Sequence, residues 1–309
     1  MAADTALIAI DWGTTSMRAY WMDGAGTITD TRSAPHGIQH IRDGRFAAAL
    51  TALVGTAEDA TVPRLACGMI GSRQGWLEAP YVACPALLTA LVGGIVTVPD
   101  ARLHIVPGVS TRDPHDIPDV MRGEETQLAG AVDAREARVL AVLPGTHSKW
   151  ACVEAGRIVD FMSFMTGELW SVLLAHSILG RLATPVAKDA PPGTAFIRGV
   201  RRGLGPGALG HDIFGARTLP LMGELTDHEV PDWLSGLLIG REIRNASTWA
   251  QRHGYDASTV RLLGEDALVA RYMAAFAEAD IAVDRAASHA AAIGLWRLAL
   301  LAGLVQSLN

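Results

Sequence analysis

The chain has 309 residues, half of them apolar and 19% charged, with a formal net charge of −6. This length and apolar content suit two domains of ordinary size, each able to bury a core. The negative balance excludes a nucleic-acid surface or an anionic-membrane patch, so an anionic substrate would have to meet a local cluster of cations.

Taken in order, the chain opens on a strand near Leu7, which leaves no space before it for the basic and apolar segments of a signal peptide. Ile8-Ala9-Ile10 run into Asp11 and Trp12. Gly13 and the hydroxyls of Thr14, Thr15 and Ser16 follow, and the strand pattern resumes through Ala19 and Trp21. Gly and hydroxyl residues between two strands predict a tight β-turn. Such a turn can be a plain hairpin that Asp11 caps. It can also set backbone N–H groups and hydroxyls against a phosphate, with Asp11 orienting the accompanying magnesium ion.

A third strand from Thr27 completes a meander over residues 7–33, followed by a helix Arg45–Leu53 and a short strand Arg64–Cys67. The loop from Gly68 to Trp76 holds three glycines, suited to close approach of a ligand or to ordinary strand–turn packing. A helix Ala86–Leu91 and a strand His104–Val106 come next. Pro107, Pro114 and Pro118 predict a rigid, irregular loop from 107 to 119. Gly123 then opens a helix with Glu124 and Glu125 in its first turn, where acids favour the helix dipole and need no further role.

From Val139 the opening pattern returns. Gly145, Thr146, Ser148 and Ala151 stand at an offset of 132 from Gly13, Thr14, Ser16 and Ala19, and both copies reach a Gly-containing hairpin and a third strand. A repeat of this length predicts two related lobes, each with its own phosphate turn. Met165-Thr166-Gly167-Glu168 leads into a helix Leu169–Leu179. Residues 184–210, rich in Pro and Gly (Pro185, Pro191, Pro192, Gly203, Gly205), predict a surface excursion between helices. After a helix Asp232–Arg244, the strand Val260–Leu263, Gly264 and the helix Asp266–Glu278 form a unit that can seat an adenosine or serve as an ordinary β–α turn. Val283 closes the sheet, and an amphipathic helix Ser288–Val305 packs back on the first lobe. Its apolar run Leu295–Val305 contains Arg297 and is too short to span a bilayer. Cys67, Cys84 and Cys152 show no ligand spacing and fit free thiols in a reducing cytoplasm, so a cytoplasmic protein is expected.

These features together resemble the actin and sugar-kinase ATPases, whose fold class is α/β: a two-lobe actin-like ATPase (ribonuclease H-like) fold, each lobe a mixed sheet with flanking helices. The resemblance implies a first lobe over 1–135 plus 288–309 and a second over 136–287. More closely, six segments in the same order are similar to the 2-dehydro-3-deoxygalactonokinase family. They are Ala9–Thr15, Cys67–Ser72 with Gly75-Trp76, Val120–Leu128, Leu143–Trp150, Met165–Leu169 and Leu234–Gly240.

That family resemblance implies an ATP-dependent kinase acting on the 6-hydroxyl of 2-dehydro-3-deoxy-D-galactonate in D-galactonate catabolism. Gly13, Thr14 and Thr15 in one lobe and Gly145 and Thr146 in the other would grip the ATP phosphates, with Mg2+ held by Asp11 through water. Gly264 would meet the adenosine, in a stretch with less Gly than such motifs often carry. A carboxylate would take the proton of the sugar hydroxyl. Glu124 and Glu125 stand where related sugar kinases usually carry Asp, and Glu124 is preferred. A keto acid calls for a cation at its carboxylate. Arg73, Arg122 and Lys149 lie in motif loops, with Ser72 and His147 as further substrate contacts. His147 can equally make a structural hydrogen bond, and Trp76 and Trp150 suit core packing better than sugar stacking. The partners implied are a small sugar acid and ATP, with no nucleic acid and no membrane, and a homodimer is compatible with the motifs. The alternatives are a kinase of the same fold with another sugar or sugar-acid acceptor, and a non-enzymatic nucleotide- or sugar-binding regulator. The early first strand speaks against the extra DNA-binding module of such regulators.

Overall fold

In Thr5–Trp12 (β1) the run Leu7-Ile8-Ala9-Ile10 is apolar on both faces, as a strand covered on both sides requires, and all four residues are fully buried. Met17–Asp23 (β2) pairs antiparallel with it, and Ile28–Ala34 (β3) antiparallel with β2, which gives the expected meander. The computed structural model describes residues 5–55, 62–184 and 190–306. It divides into two compact units, Met1–Ala137 with Val153–Asp160 and Ala287–Asn309, and Arg138–Cys152 with Phe161–Ala286.

The first unit continues through Phe46–Val54 (α1), Arg64–Cys67 (β4), Tyr81–Ala83 (β5), Leu88–Gly93 (α2), Val96–Val98 (β6), Leu103–Ile105 (β7), Gly108–Arg112 (β8), Pro118–Met121 (β9) and Glu124–Ala131 (α3). Its main sheet has the order β3-β2-β1-β4-β7-β6, with β4 parallel to β1 and β7 parallel to β4. Trp12, Phe46, Leu50, Ile70 and Ile105 pack the core beside it.

The second unit is built from Val139–Leu143 (β10), Ser148–Glu154 (β11), Arg157–Phe164 (β12), Thr166–His176 (α4), Thr194–Leu204 (α5), Leu209–Asp212 (α6), Gly215–Leu221 (α7), Val230–Arg252 (α8), Thr259–Leu262 (β13), Asp266–Ala277 (α9) and Ala282–Arg285 (β14). Its sheet order is β12-β11-β10-β13-β14, with β13 parallel to β10 and β14 to β13. Both sheets thus run third-second-first strand and then a parallel fourth, the structural counterpart of the offset in sequence. Ala290–Leu301 (α10) belongs to the first unit and crosses α3 closely. A side chain on Gly130 would overlap the Ala290 carbonyl, and one on Gly294 the Thr126 carbonyl. Arg297 Nη1 donates to the carbonyls of Ala129 and Val132 at 2.6 and 3.0 Å, which satisfies the end of α3.

Two expectations are corrected. Residues 107–119 are not an irregular loop, because β8 and β9 pair antiparallel within a three-stranded sheet of order β5-β8-β9. Proline is tolerated there for positional reasons: Pro107 precedes β8, Pro114 lies in the connection, and Pro118 begins an edge strand. The stretch from 184 to 210 is likewise no surface excursion. Pro185 lies outside the described residues, and Thr194–Leu204 is a helix packed on α8 with Phe196, Gly199, Val200 and Gly203 buried. Its glycines are spaced four apart and face the backbone of α8. A side chain on Gly199 would overlap the Trp233 carbonyl, and one on Gly236 the Phe196 carbonyl. Glycine here is a packing residue, not a breaker. Smaller shifts affect α4, which starts at Thr166 rather than 169, and α8, which extends to Arg252. Among the described residues no helix is long and apolar enough to cross a membrane.

Candidate active site

In the first unit, acidic side chains gather where β1, β4 and α3 meet. Asp11 and Cys67 are paired at the ends of β1 and β4. Gly68 and Gly123 follow with φ of +92° and +106°, a region that favours glycine. Space demands glycine as well. A Cβ on Gly68 would lie 2.8 Å from the Trp12 carbonyl oxygen and 3.5 Å from Asp11 Oδ1, and one on Gly123 would lie 3.2 Å from the Gly68 Cα. This close approach brings Asp11, Glu125 and Glu124 around Cys67, whose thiol is pushed well up by burial and then by those carboxylates.

The adjacent glutamates have different surroundings. Glu125 is fully buried, its Oε2 accepting the Gly123 N–H at 2.6 Å and its Oε1 the Thr126 hydroxyl at 2.8 Å. Burial, reinforced by the charge of Glu124, pushes its carboxyl up to about 8. Glu125 is therefore mostly protonated near neutral pH. Glu124 is half-buried, with Oε2 accepting the Arg122 N–H at 3.0 Å. Of the two, Glu124 retains the exposure that contact with a substrate hydroxyl requires.

Arg122 is buried just before this turn. Its Nη2 donates to the Ala79 carbonyl at 2.8 Å and its guanidinium lies 4.3 Å over the Tyr81 ring, while among the described residues Nε and Nη1 have no hydrogen-bond partner. Ser72 Oγ is also buried without one. A Cβ on Gly71 would lie 3.0 Å from Arg122 Nη1, so the guanidinium packs against the backbone just before Ser72. Arg73 is exposed. The Gly13–Ser16 turn closes through the Gly13 N–H on the Ser16 carbonyl at 2.9 Å. The N–H groups of Ile38 and Gln39 brace it on the carbonyls of Gly13 and Thr14. Thr15 at its apex is exposed.

In the second unit, Gly145 and Thr146 turn the chain between β10 and β11. The first turn of α4 lies against them: a Cβ on Gly167 would sit 2.6 Å from the Gly145 carbonyl oxygen, and the Glu168 N–H donates to the Thr146 carbonyl at 3.0 Å. His147 pairs with the Glu168 carboxylate. Gly264, with φ +144°, ends β13 beside Pro144. Gly145, Thr166, Gly167, Trp170, Glu265 and Arg271 are among the residues lining a pocket of about 610 Å³, large enough for a nucleoside. Lys149 is buried within β11, its Nζ donating to the His147 carbonyl at 3.2 Å.

Sequence reasoning missed Glu242. Its carboxylate, buried in α8, receives Ser148 Oγ, Trp150 Nε1, Tyr272 OH and Thr166 Oγ1. A signal existed: Glu242 falls four residues after Leu238 and four before Ala246, which puts an acid on the buried stripe of a helix. Trp150 is core in the second unit, as expected, and Trp76 packs at the edge of the first unit's core beside Phe46 and Trp12.

Two sheets of one strand order, each with a Gly turn after its first strand, give the chain the actin-like ATPase fold of the α/β, ribonuclease H-like class. Component A of (R)-2-hydroxyglutaryl-CoA dehydratase from Acidaminococcus fermentans has a TM-score of 0.52 over 96% of this chain and 98% of its own, at 12% identity, a likeness of fold alone. The family model for 2-keto-3-deoxy-galactonokinase matches residues 11–298. The 2-dehydro-3-deoxygalactonokinase of Escherichia coli K12 is 37% identical over 87% of this chain and 88% of that protein. A crystal structure from Sinorhizobium meliloti, named as a candidate 2-dehydro-3-deoxygalactonokinase, has a TM-score of 0.84 and 32% identity over 95% of this chain and 96% of that one. The chain belongs to the 2-keto-3-deoxy-galactonokinase family.

Proposed function

We propose that the protein transfers the terminal phosphate of ATP to the 6-hydroxyl of 2-dehydro-3-deoxy-D-galactonate, forming 2-dehydro-3-deoxy-6-phosphogalactonate in D-galactonate catabolism. The observation that carries the chemistry is the contrast at the start of α3: Glu124 is half-exposed on a backbone N–H, and Glu125 beside it is sealed. Glu124 is the general base. It accepts the proton of the 6-hydroxyl as that oxygen bonds to phosphorus and the bond to the departing ADP breaks. A mostly protonated Glu125 spares Glu124 a second charge nearby.

The second unit suits the nucleotide. Backbone N–H groups at Gly145 and Thr146, beside the start of α4, favour phosphate, and the pocket at Gly145, Gly167 and Glu265 has room for the nucleoside next to Gly264. In the first unit, the turn at Gly13 has the N–H groups and hydroxyls of Thr14 and Thr15 as phosphate donors, the Gly13 N–H being held by the Ser16 carbonyl. Among the described residues no group of three or more His, Cys, Asp or Glu is placed to hold a metal. A single carboxylate, Asp11, fits Mg2+ held mostly by water and phosphate, where the ion neutralises charge during transfer. The acceptor carboxylate is assigned to Ser72 and Arg122, whose orphaned donors match it. Because those atoms are buried, the Gly71–Ala79 loop must shift to admit it. Arg73 is exposed and available to the sugar acid; His147, paired with Glu168, and Lys149, buried on a carbonyl, are assigned to the second turn instead.

The test is ADP release over a panel of 2-keto-3-deoxy sugar acids and neutral hexoses, with Glu124→Gln alongside. Activity confined to the keto acids and a drop of about a hundredfold or more in kcat are expected. Turnover of hexoses in place of keto acids would reject the acceptor, and near-normal turnover by the variant would reject the base.

A further inference from the structure

We propose that Glu242 is a positioning residue for the nucleotide phosphates, holding both flanks of the Gly145–Thr146 turn through one buried carboxylate. This rests on the reading of that turn as a phosphate site. Ser148, which leaves the turn as the first residue of β11, donates to Glu242 Oε1 at 2.7 Å, and Trp150 Nε1 donates to the same oxygen at 2.8 Å. Thr166, the first residue of α4, donates to Oε2. Its neighbour Gly167 is the residue packed on the Gly145 carbonyl. Tyr272 of α9 adds a second donor to Oε2 at 2.8 Å. The strand that leaves the turn and the helix that backs it are therefore tied to one carboxylate on α8, and neither can move without breaking bonds to a fully enclosed acceptor.

The donor geometry also sets the character of the pocket. Thr166 and Tyr272 line it; Thr166 gives its hydroxyl hydrogen to Glu242 and Tyr272 gives its own to Glu242 or to Ser148 Oγ at 3.3 Å, so both present lone pairs to a ligand. They cannot donate to phosphate oxygens, which leaves phosphate contact to the backbone N–H groups of the turn that Glu242 holds in place.

The test compares Michaelis constants for ATP and for the sugar acid in Glu242→Ala, Glu242→Gln, Thr166→Val, Ser148→Ala and Gly167→Val. Glu242→Ala should raise KM for ATP by about tenfold or more and move KM for the sugar acid by less than about twofold. Glu242→Gln should recover most of that loss: its oxygen still accepts from Ser148 and Trp150, and its amide can donate to the rotatable hydroxyls of Thr166 and Tyr272. If Glu242→Ala does not fold, Thr166→Val and Ser148→Ala carry the test, each with a rise of about threefold or more confined to ATP. Folded variants whose two Michaelis constants move together, or not at all, would overturn the inference. Gly167→Val separates the two levels, since its side chain strikes the Gly145 carbonyl. Unchanged KM for ATP in that variant would sink the phosphate reading of the turn. A rise there with none in the Glu242 set would sink only the positioning role.

Discussion

Replacing Glu125 by Gln should make the protein more resistant to alkaline pH. The folded carboxyl is pushed from an ordinary 4.5 up to about 8, first by burial and then by Glu124. Between those values the folded chain holds a proton that the unfolded chain has released, so stability present at low pH is lost as pH rises through the folded value. From about pH 6 to about pH 9 the loss is roughly 2.5 kcal/mol, at about 1.36 kcal/mol per unit over the two units or so below 8. Gln does not titrate. Its oxygen can keep the Gly123 N–H and its amide can donate to Thr126 Oγ1, which mimics the protonated acid. The variant should therefore lead the wild type by roughly 2 kcal/mol near pH 6, since about 1.5 pH units above the unfolded value have already been lost there, and gain roughly 2.5 kcal/mol more on it by pH 9. That gain reads as a relative rise in Tm of roughly 5 °C. Thermal unfolding of both proteins at the two pH values measures it, and the contributions of Glu242 and Tyr272, also raised by burial, cancel in the difference. A wild-type-minus-variant difference that does not change with pH would refute the reasoning.

Three further outcomes are expected. Gly68→Ala places a side chain at φ +92° against the Trp12 carbonyl, and should cost about 1–3 kcal/mol in denaturant unfolding and lower kcat by disturbing Asp11. Gly199→Val should cost about 3 kcal/mol or more, because α5 and α8 must part to clear the Trp233 carbonyl; a loss under about 1 kcal/mol would contradict the packing. Arg122→Lys keeps the charge but loses the planar fork, and should raise KM for the sugar acid about tenfold while KM for ATP stays within about twofold. Equal changes in the two constants would mean that Arg122 serves only to brace Ala79 and Tyr81.

The two glutamates illustrate how far the residues alone reach. A Gly followed by two acids marks the start of α3 in sequence, and preference for Glu124 as base could be stated there. What separates the pair is solvent access, which depends on how Thr126, Cys67 and the end of β4 surround the turn. Arg122 makes the same point from the other side. Its charge and place in a motif mark it for an anion, but its bond to Ala79 and its stacking on Tyr81 come from a sheet that three prolines hid.

The sequence by itself determined the repeat of strand, Gly turn and strand, the positions of Asp11, Gly145 and Gly264 at strand ends, and the family, because these depend on local periodicity and on residue types in fixed order. Tertiary structure alone decided that the Pro- and Gly-rich stretch before Gly205 contains a helix with one face buried on α8, and that Glu242 is the common acceptor for four donors drawn from three other elements. Both outcomes depend on contacts between residues far apart in the chain. A glycine's use as hinge or as packing surface, and an acid's use as cap or as hub, are fixed by the neighbours that folding brings.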